Sequence, residues 1–274
     1  EILTAEMIHR ACLDAGLESR YVFIVDSMDP LRRVYDFLSE DYEQFIGVPL
    51  AYIPAPNTDG TPSNGETSYA EHFLNPFLEA LKEIGVFPEI VMNHETYENG
   101  QFSEKIDLAI RKREEIREII MRVSGRELPE DWFPYSPRGP NGSMDGITVT
   151  SYEYPHVYWV DENGVSGESD IRRADGKMPW RLDWAARWII HGVTCEPAGK
   201  DHGAAGGSYD TGIPICELLG GSPPDKIVYE WIQLKGMGPM SSSSGVTIGP
   251  MEALSLVPPE ILRYVIARSK ICLL

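Results

Sequence analysis

The spacing of apolar and polar positions changes character several times along the chain, and each change predicts an element. Glu1 to Gly16 has the helix period and reads as an amphipathic helix closed by glycine. Tyr21-Val-Phe-Ile-Val25 is a short, uninterrupted apolar run, the pattern of a strand buried in a parallel sheet. Proline, glycine and asparagine dominate Phe45 to Gly65, which predicts a loop over the sheet. Thr67-Ser-Tyr-Ala-Glu-His-Phe-Leu opens a helix behind a hydroxyl cap, with His72 read as a structural histidine. Phe87-Pro-Glu-Ile-Val-Met92 follows as a strand, completing a β-α-β repeat with Tyr21–Val25. From Glu95 to Arg126 the pattern predicts a long charged helical stretch with Ile106, Ile110, Ile116, Ile119 and Ile120 as its apolar stripe. Basic residues there alternate with glutamates, so that face reads as solvated rather than as a nucleic-acid site.

The texture then shifts. Leu128 to Pro137 is an irregular connection; Ile147-Thr-Val-Thr-Ser-Tyr-Glu-Tyr and His156-Val-Tyr-Trp-Val160 alternate like a hairpin, with a turn at Asp161-Glu-Asn-Gly164. The stretch that organises the rest is Lys177 to Gly245. It opens with a helix over Lys177–Trp188, in which Trp180, Trp184 and Trp188 recur every four residues on one face, most simply a core stripe. A strand at Val193–Pro197 spills into Gly199-Lys-Asp-His202 and a glycine cluster, then a helix over Ser208–Leu219. A second apolar run, Lys226–Gln233, leads to Met240-Ser-Ser-Ser-Ser-Gly245. Polar and ionisable residues thus collect beyond the carboxyl ends of two candidate parallel strands, where open α/β sheets bind ligands.

Composition narrows the class. With 274 residues, 42% apolar and 24% charged, the chain suits a soluble globular protein of one large domain or two smaller ones. No apolar stretch is long enough to span a bilayer, and no charged-then-apolar leader precedes the fold. Cys12, Cys195, Cys216 and Cys272 are scattered without a CxxC pair, which predicts reduced thiols in a cytoplasmic protein. The net charge of −18 works against phosphate-rich partners and leaves only a local basic surface to meet them. The chain starts in mid-helix without methionine and reads as part of a longer one.

The phrases KMPWRLDWAARW, EPAGKDHGAAGGSYDTG, VYEWI and MSSSSG, in that order and spacing, resemble class I lysyl-tRNA synthetase. The SYAEHF phrase and Asp26-Ser-Met-Asp-Pro-Leu-Arg-Arg33 extend the likeness back to Glu1, and it is weakest from Pro137 to Gly167. Asp26 and Asp29 have two readings, the family's acidic strand end and a plain cap on a following helix. The resemblance implies an α/β, Rossmann-type class I synthetase catalytic domain with a parallel sheet. Its first part would be residues 1–96, a helical and β insertion 97–176, its second part 177–238, and a signature loop with the start of an α-helical C-terminal region 239–274. It further implies an upstream HIGH-type motif and a downstream anticodon-binding domain outside this sequence. The activity implied is ATP-dependent formation of lysyl-adenylate and transfer of lysine to tRNA(Lys), with Mg2+ accompanying ATP.

The same resemblance supplies site residues. Trp180, His202 and Tyr229 match the lysine pocket, where an aromatic face packs the methylene stem and attracts the ammonium; Tyr229 also reads as core. Gly199, Asp201, His202, Ser242 and Ser244 match the ATP site. Met240, Ser241, Ser242, Ser243 and Ser244 match the mobile signature loop. Such loops normally carry lysine, because a cation stabilises the departing pyrophosphate. Here Pro239 replaces the leading lysine, and Ser242 and Ser244 stand where lysine is usual, so hydroxyl and N–H groups would hold phosphate more weakly. The family's insertion often holds a zinc ribbon with paired cysteines; Arg138–Gly142 and Gly164–Gly167 contain none, which predicts no structural zinc. A glutamate- or cysteine-type class I synthetase and an inactive synthetase-like binding module are the alternatives.

Overall fold

The structure, a computed structural model, describes residues 2–230, 233–234, 238–239, 248–268 and 271–272. Helix α1 (Ile2–Asp14) ends before Gly16, whose φ of 75° turns the chain into strand β1 (Val22–Val25). Helix α2 (Tyr69–Glu83) carries the crossover to strand β2 (Glu89–Met92), which pairs with β1 in parallel, Val22 opposite Glu89 and Val25 opposite Met92. Ser68 caps α2: its hydroxyl accepts from the Glu71 N–H while the Glu71 carboxylate accepts from the Ser68 N–H. The predicted β-α-β repeat is therefore present. Every residue of β1 is only half-buried, because β2 is its one partner among the described residues.

Between β1 and α2 the chain forms the predicted loop, with short 3-10 turns at Glu40–Phe45 and Leu50–Tyr52 around a small core of Leu31, Tyr42, Val48, Ile53 and Tyr69. No helix follows Asp26 and Asp29 directly, which corrects the capping reading: Asp26 accepts from Arg187 Nη1 at 2.5 Å and Asp29 from Lys177 Nζ at 2.6 Å.

The long helical stretch from Glu95 is divided into α3 (Asn93–Glu98), α4 (Ser103–Arg111) and α5 (Arg113–Ser124). Gly100 makes the first break with φ of 69°, and a Cβ there would come 2.9 Å from the Arg172 carbonyl oxygen. The apolar stripe nonetheless faces inward: Ile106, Ile110, Ile116 and Ile120 are buried and Ile119 packs against them.

Strand β3 (Ser136–Pro137) leads to an antiparallel meander of β4 (Ile147–Glu153), β5 (His156–Asp161) and β6 (Ser166–Asp170). The hairpin was legible; β6, reading Ser-Gly-Glu-Ser-Asp, had no apolar alternation to reveal it. Strand β7 (Gly176–Lys177) closes this β-rich segment by pairing antiparallel with β3.

Helix α6 spans Trp180–Ile190, not Lys177–Trp188, because Pro179 forces the preceding residue into an extended conformation and Lys177 joins β7. Strand β8 is Cys195–Gly199, two residues later than predicted, followed by the single turn α7 (Lys200–Gly203) and helix α8 (Ser208–Leu218). Strand β9 (Asp225–Tyr229) lies parallel to β8, Gly199 opposite Tyr229. The remaining described elements are the antiparallel pair β10 (Gln233–Leu234) and β11 (Gly238–Pro239), helices α9 (Pro250–Leu256) and α10 (Pro259–Ala267), and β12 (Ile271–Cys272), antiparallel to β9. The ladders β1–β2 and β8–β9 share no backbone pairing. The main core runs from Met28, Tyr97 and Phe102 through Leu182 and Trp188 to Ile215 and includes Ala198 of β8. The predicted signature loop, Met240 to Ser244, lies outside the described residues.

Candidate functional site

The carboxyl ends of β8 and β9 carry the sequence-predicted residues. Gly199 ends β8 close to both side chains: a Cβ there would sit 2.6 Å from an Asp201 carboxylate oxygen and 3.4 Å from the Tyr229 hydroxyl. Gly199, Asp201 and Tyr229 are thereby gathered at one strand end. The turn α7 then presents His202, whose Nε2 is 3.4 Å from Asp201 Oδ2 and whose Nδ1 is 3.5 Å from Ser208 Oγ. Across from it stands Trp180, the first residue of α6, with ring centroids 5.3 Å apart.

Trp184, read from the sequence as core, belongs to this face as well. Its ring centroid is 5.9 Å from that of His202 and 5.1 Å from that of Trp180, with the two indoles stacked at 26°. Trp188 is the buried end of the row, 1% exposed, and a Cβ at Gly212 would come 2.6 Å from its ring. Both inner indoles donate to one carboxylate: Trp184 Nε1 to Glu196 Oε1 at 3.4 Å and Trp188 Nε1 to Glu196 Oε2 at 3.2 Å. The row therefore runs from a carboxylate at its inner end to an imidazole at its outer end. The sequence signal for Glu196 was a lone acid within a strand beside a tryptophan stripe.

A second set of contacts fixes the glycine turn. Lys226 Nζ donates to the Gly203 carbonyl and to Asp210 Oδ1, both at 3.1 Å, and lies 5.2 Å over the Tyr209 ring. Asp210 Oδ2 in turn accepts from the Gly206 N–H at 2.9 Å. On the rim, Lys200 pairs with Glu230 at 2.9 Å. An aromatic wall, an imidazole, a carboxylate and close backbone suit an organic cation with a polar or anionic remainder. Of the predicted residues, the structure brings together Trp180, His202, Gly199, Asp201 and Tyr229; Ser242 and Ser244 fall outside the described residues.

Among the described residues no group of three or more His, Cys, Asp or Glu could hold a metal ion. Residues 97–176, where the resemblance would place a zinc ribbon, contain no cysteine. Within them the Trp159 ring lies against Gly167, where a Cβ would come within 2.3 Å, and Trp159 Nε1 donates to Ser169 Oγ at 3.1 Å.

Comparison with known proteins identifies the family. The family described as tRNA synthetases class I (K) matches residues 1–272. The chain is 44% identical over 270 residues to the lysine–tRNA ligase of Thermoplasma acidophilum, covering 98% of this chain and 52% of that protein. It is 45% identical over 272 residues to the lysine–tRNA ligase of Archaeoglobus fulgidus, covering 98% and 54%. Lysine–tRNA ligase 1 of Methanosarcina acetivorans is 45% identical over 274 residues, covering 98% and 50%. The chain thus spans about half the length of the curated relatives it matches. On a family match of this extent, the chain belongs to the class I (K) tRNA synthetases.

Proposed function

We propose that the whole protein is a lysine–tRNA ligase and that this chain supplies most of its lysine site. The observation that carries the reading is the meeting of Trp180 with His202 beyond the end of a parallel strand, in a chain whose relatives carry that name. A lysine carboxylate oxygen bonds to the α-phosphorus of ATP, the α–β phosphoanhydride bond breaks, and pyrophosphate leaves. The 3′-terminal ribose hydroxyl of tRNA(Lys) then attacks the adenylate carbonyl, loses its proton, and AMP departs. Positioning and charge stabilisation carry both steps.

In this reading Trp180, His202 and Tyr229 hold the lysine side chain. Gly199, Asp201 and His202 face ATP, joined by Ser242 and Ser244 from the loop Met240–Ser244. Mg2+ travels with ATP, and no structural zinc is required. The division at residues 96, 176 and 238 separates the two catalytic parts, the insertion and the helical region. No helix among the described residues is long and apolar enough to cross a membrane, and a cytoplasmic place fits a partner of tRNA.

The test is amino-acid-dependent ATP–pyrophosphate exchange by the complete gene product. Exchange with lysine, followed by lysylation of tRNA, is the expected result. Exchange with glutamate or cysteine would move the assignment to another class I synthetase. No exchange with any amino acid would leave an inactive binding module.

A further inference from the structure

A ladder of charges between α6 and the end of β1, buried in its middle and exposed at Asp26, has no part in the site above. Asp183 is 0% exposed and sits on the inner face of α6. Its Oδ2 accepts from the Tyr97 hydroxyl at 2.5 Å and from Asn93 Nδ2 at 3.3 Å, with Lys177 Nζ at 3.6 Å. Its Oδ1 pairs with Arg187 Nε one turn along the helix. Both cations reach further. Arg187 Nη1 meets Asp26 Oδ1 at 2.5 Å, and Lys177 Nζ meets Asp29 Oδ1 at 2.6 Å. The order is Asp26, Arg187, Asp183, Lys177, Asp29. Its outer ends lie on the loop leaving β1 and its middle on α6 and β7. The Tyr97 hydroxyl also accepts from the Met178 N–H at 3.1 Å, tying down the approach to Trp180.

Burial works to raise the Asp183 carboxyl, but Arg187, Lys177 and the Tyr97 and Asn93 hydrogen bonds outweigh it and hold the group below the usual carboxylate range. A ladder of this kind is a poor way to gain stability, since well-packed apolar residues do as well or better. What it specifies is distance and register. The two parallel ladders share no backbone pairing, and the ion pairs of Asp26 with Arg187 and of Asp29 with Lys177 link β1's end to α6 and β7. Trp180 is one turn ahead of Asp183 on a helix, and a shift of one moves the other.

We infer that Asp183, with Lys177 and Arg187, is a positioning element for the amino-acid pocket, holding the first turn of α6 so that Trp180 faces His202. Asp183 does not touch substrate; it acts through Trp180. The inference rests on the reading of Trp180 and His202 as the lysine pocket.

The experiment is steady-state exchange kinetics of the complete gene product and two variants, with lysine and ATP varied separately. Asp183→Asn keeps the shape and removes the charge; the expected result is a KM for lysine raised about tenfold, with kcat and the KM for ATP within about threefold, the split that marks lost binding geometry. Asp29→Asn removes the charge at one end of the ladder, on a side chain that keeps some exposure, and raises the lysine KM about fivefold; it decides the matter if Asp183→Asn does not fold. Folded variants with an unchanged lysine KM, or with all three parameters moved equally, overturn the inference alone. A wild-type protein without lysine-dependent exchange overturns both the inference and the reading beneath it.

Discussion

Trp180 and His202 face one another with ring centroids 5.3 Å apart and planes tilted by 38°. One opens a helix and the other lies in the turn after a strand, so the proposed lysine pocket rests on their meeting rather than on either residue alone. An aromatic face against a partly desolvated ammonium contributes roughly 1–2 kcal/mol. Trp180→Ala in the complete protein is expected to raise the KM for lysine about tenfold while moving the KM for ATP much less. Steady-state kinetics for both substrates check this, and equal effects would remove Trp180 from the lysine pocket.

Tyr97 tests the buried ladder through stability alone. Its hydroxyl is the shared partner of the Asp183 carboxylate and the Met178 N–H, and burial, together with Asp183, raises its own pKa well above the usual tyrosine value. Tyr97→Phe leaves both groups short of a partner in a dry interior, at a cost of about 1–3 kcal/mol. Urea denaturation of wild type and variant at neutral pH measures it, and a difference below about 0.5 kcal/mol would mean the hydroxyl is dispensable.

His191 gives the fold a dependence on pH. Burial, with Arg187 and Arg20 nearby, lowers its pKa below 6.5, and its Nε2 is buried without a hydrogen-bond partner among the described residues. The native state thus resists protonation while the unfolded chain accepts it at about pH 6.5. Stability is full above that pH and declines as pH falls through it toward the lower native value. Denaturation midpoints at pH 7.5 and 5.5 are expected to differ more in wild type than in His191→Gln. An identical difference in the two proteins would place the pH dependence elsewhere.

The insertion should hold its shape by packing in place of metal. Gly167→Ala drives a methyl into the Trp159 ring and is expected to cost about 1–3 kcal/mol. Purified protein should carry no stoichiometric zinc, and a chelator should leave the thermal midpoint unchanged. Elemental analysis finding about one zinc per chain would point to ligands elsewhere.

Most elements were legible because their signals are local. The cap at Ser68, the apolar runs of β1 and β9, the alternation of β4 and β5, and the tryptophan spacing of α6 each reflect a neighbour-to-neighbour preference that no distant residue needs to supply. Boundaries slipped where a local breaker and a tertiary contact acted together. Gly100 broke a helix whose charge pattern was continuous, and Lys177 was drawn out of α6 into the pair with β3.

By itself, then, the sequence determined the β-α-β repeat, the parallel partner strands and the order of GKDH and the tryptophans, since hydrophobic period and turn chemistry are written in adjacent positions. Only the tertiary structure decided which polar groups meet. Asp26 and Asp29 read equally as an acidic strand end or as caps, yet each pairs with a different cation of a distant segment; Trp184 looked like core, yet faces His202; Glu196 gained two indole donors that its strand could not announce. The physical reason is the cost of burying charge. A carboxylate inside a protein must find donors wherever the fold brings them, and that is a property of three-dimensional neighbours, with no period along the chain.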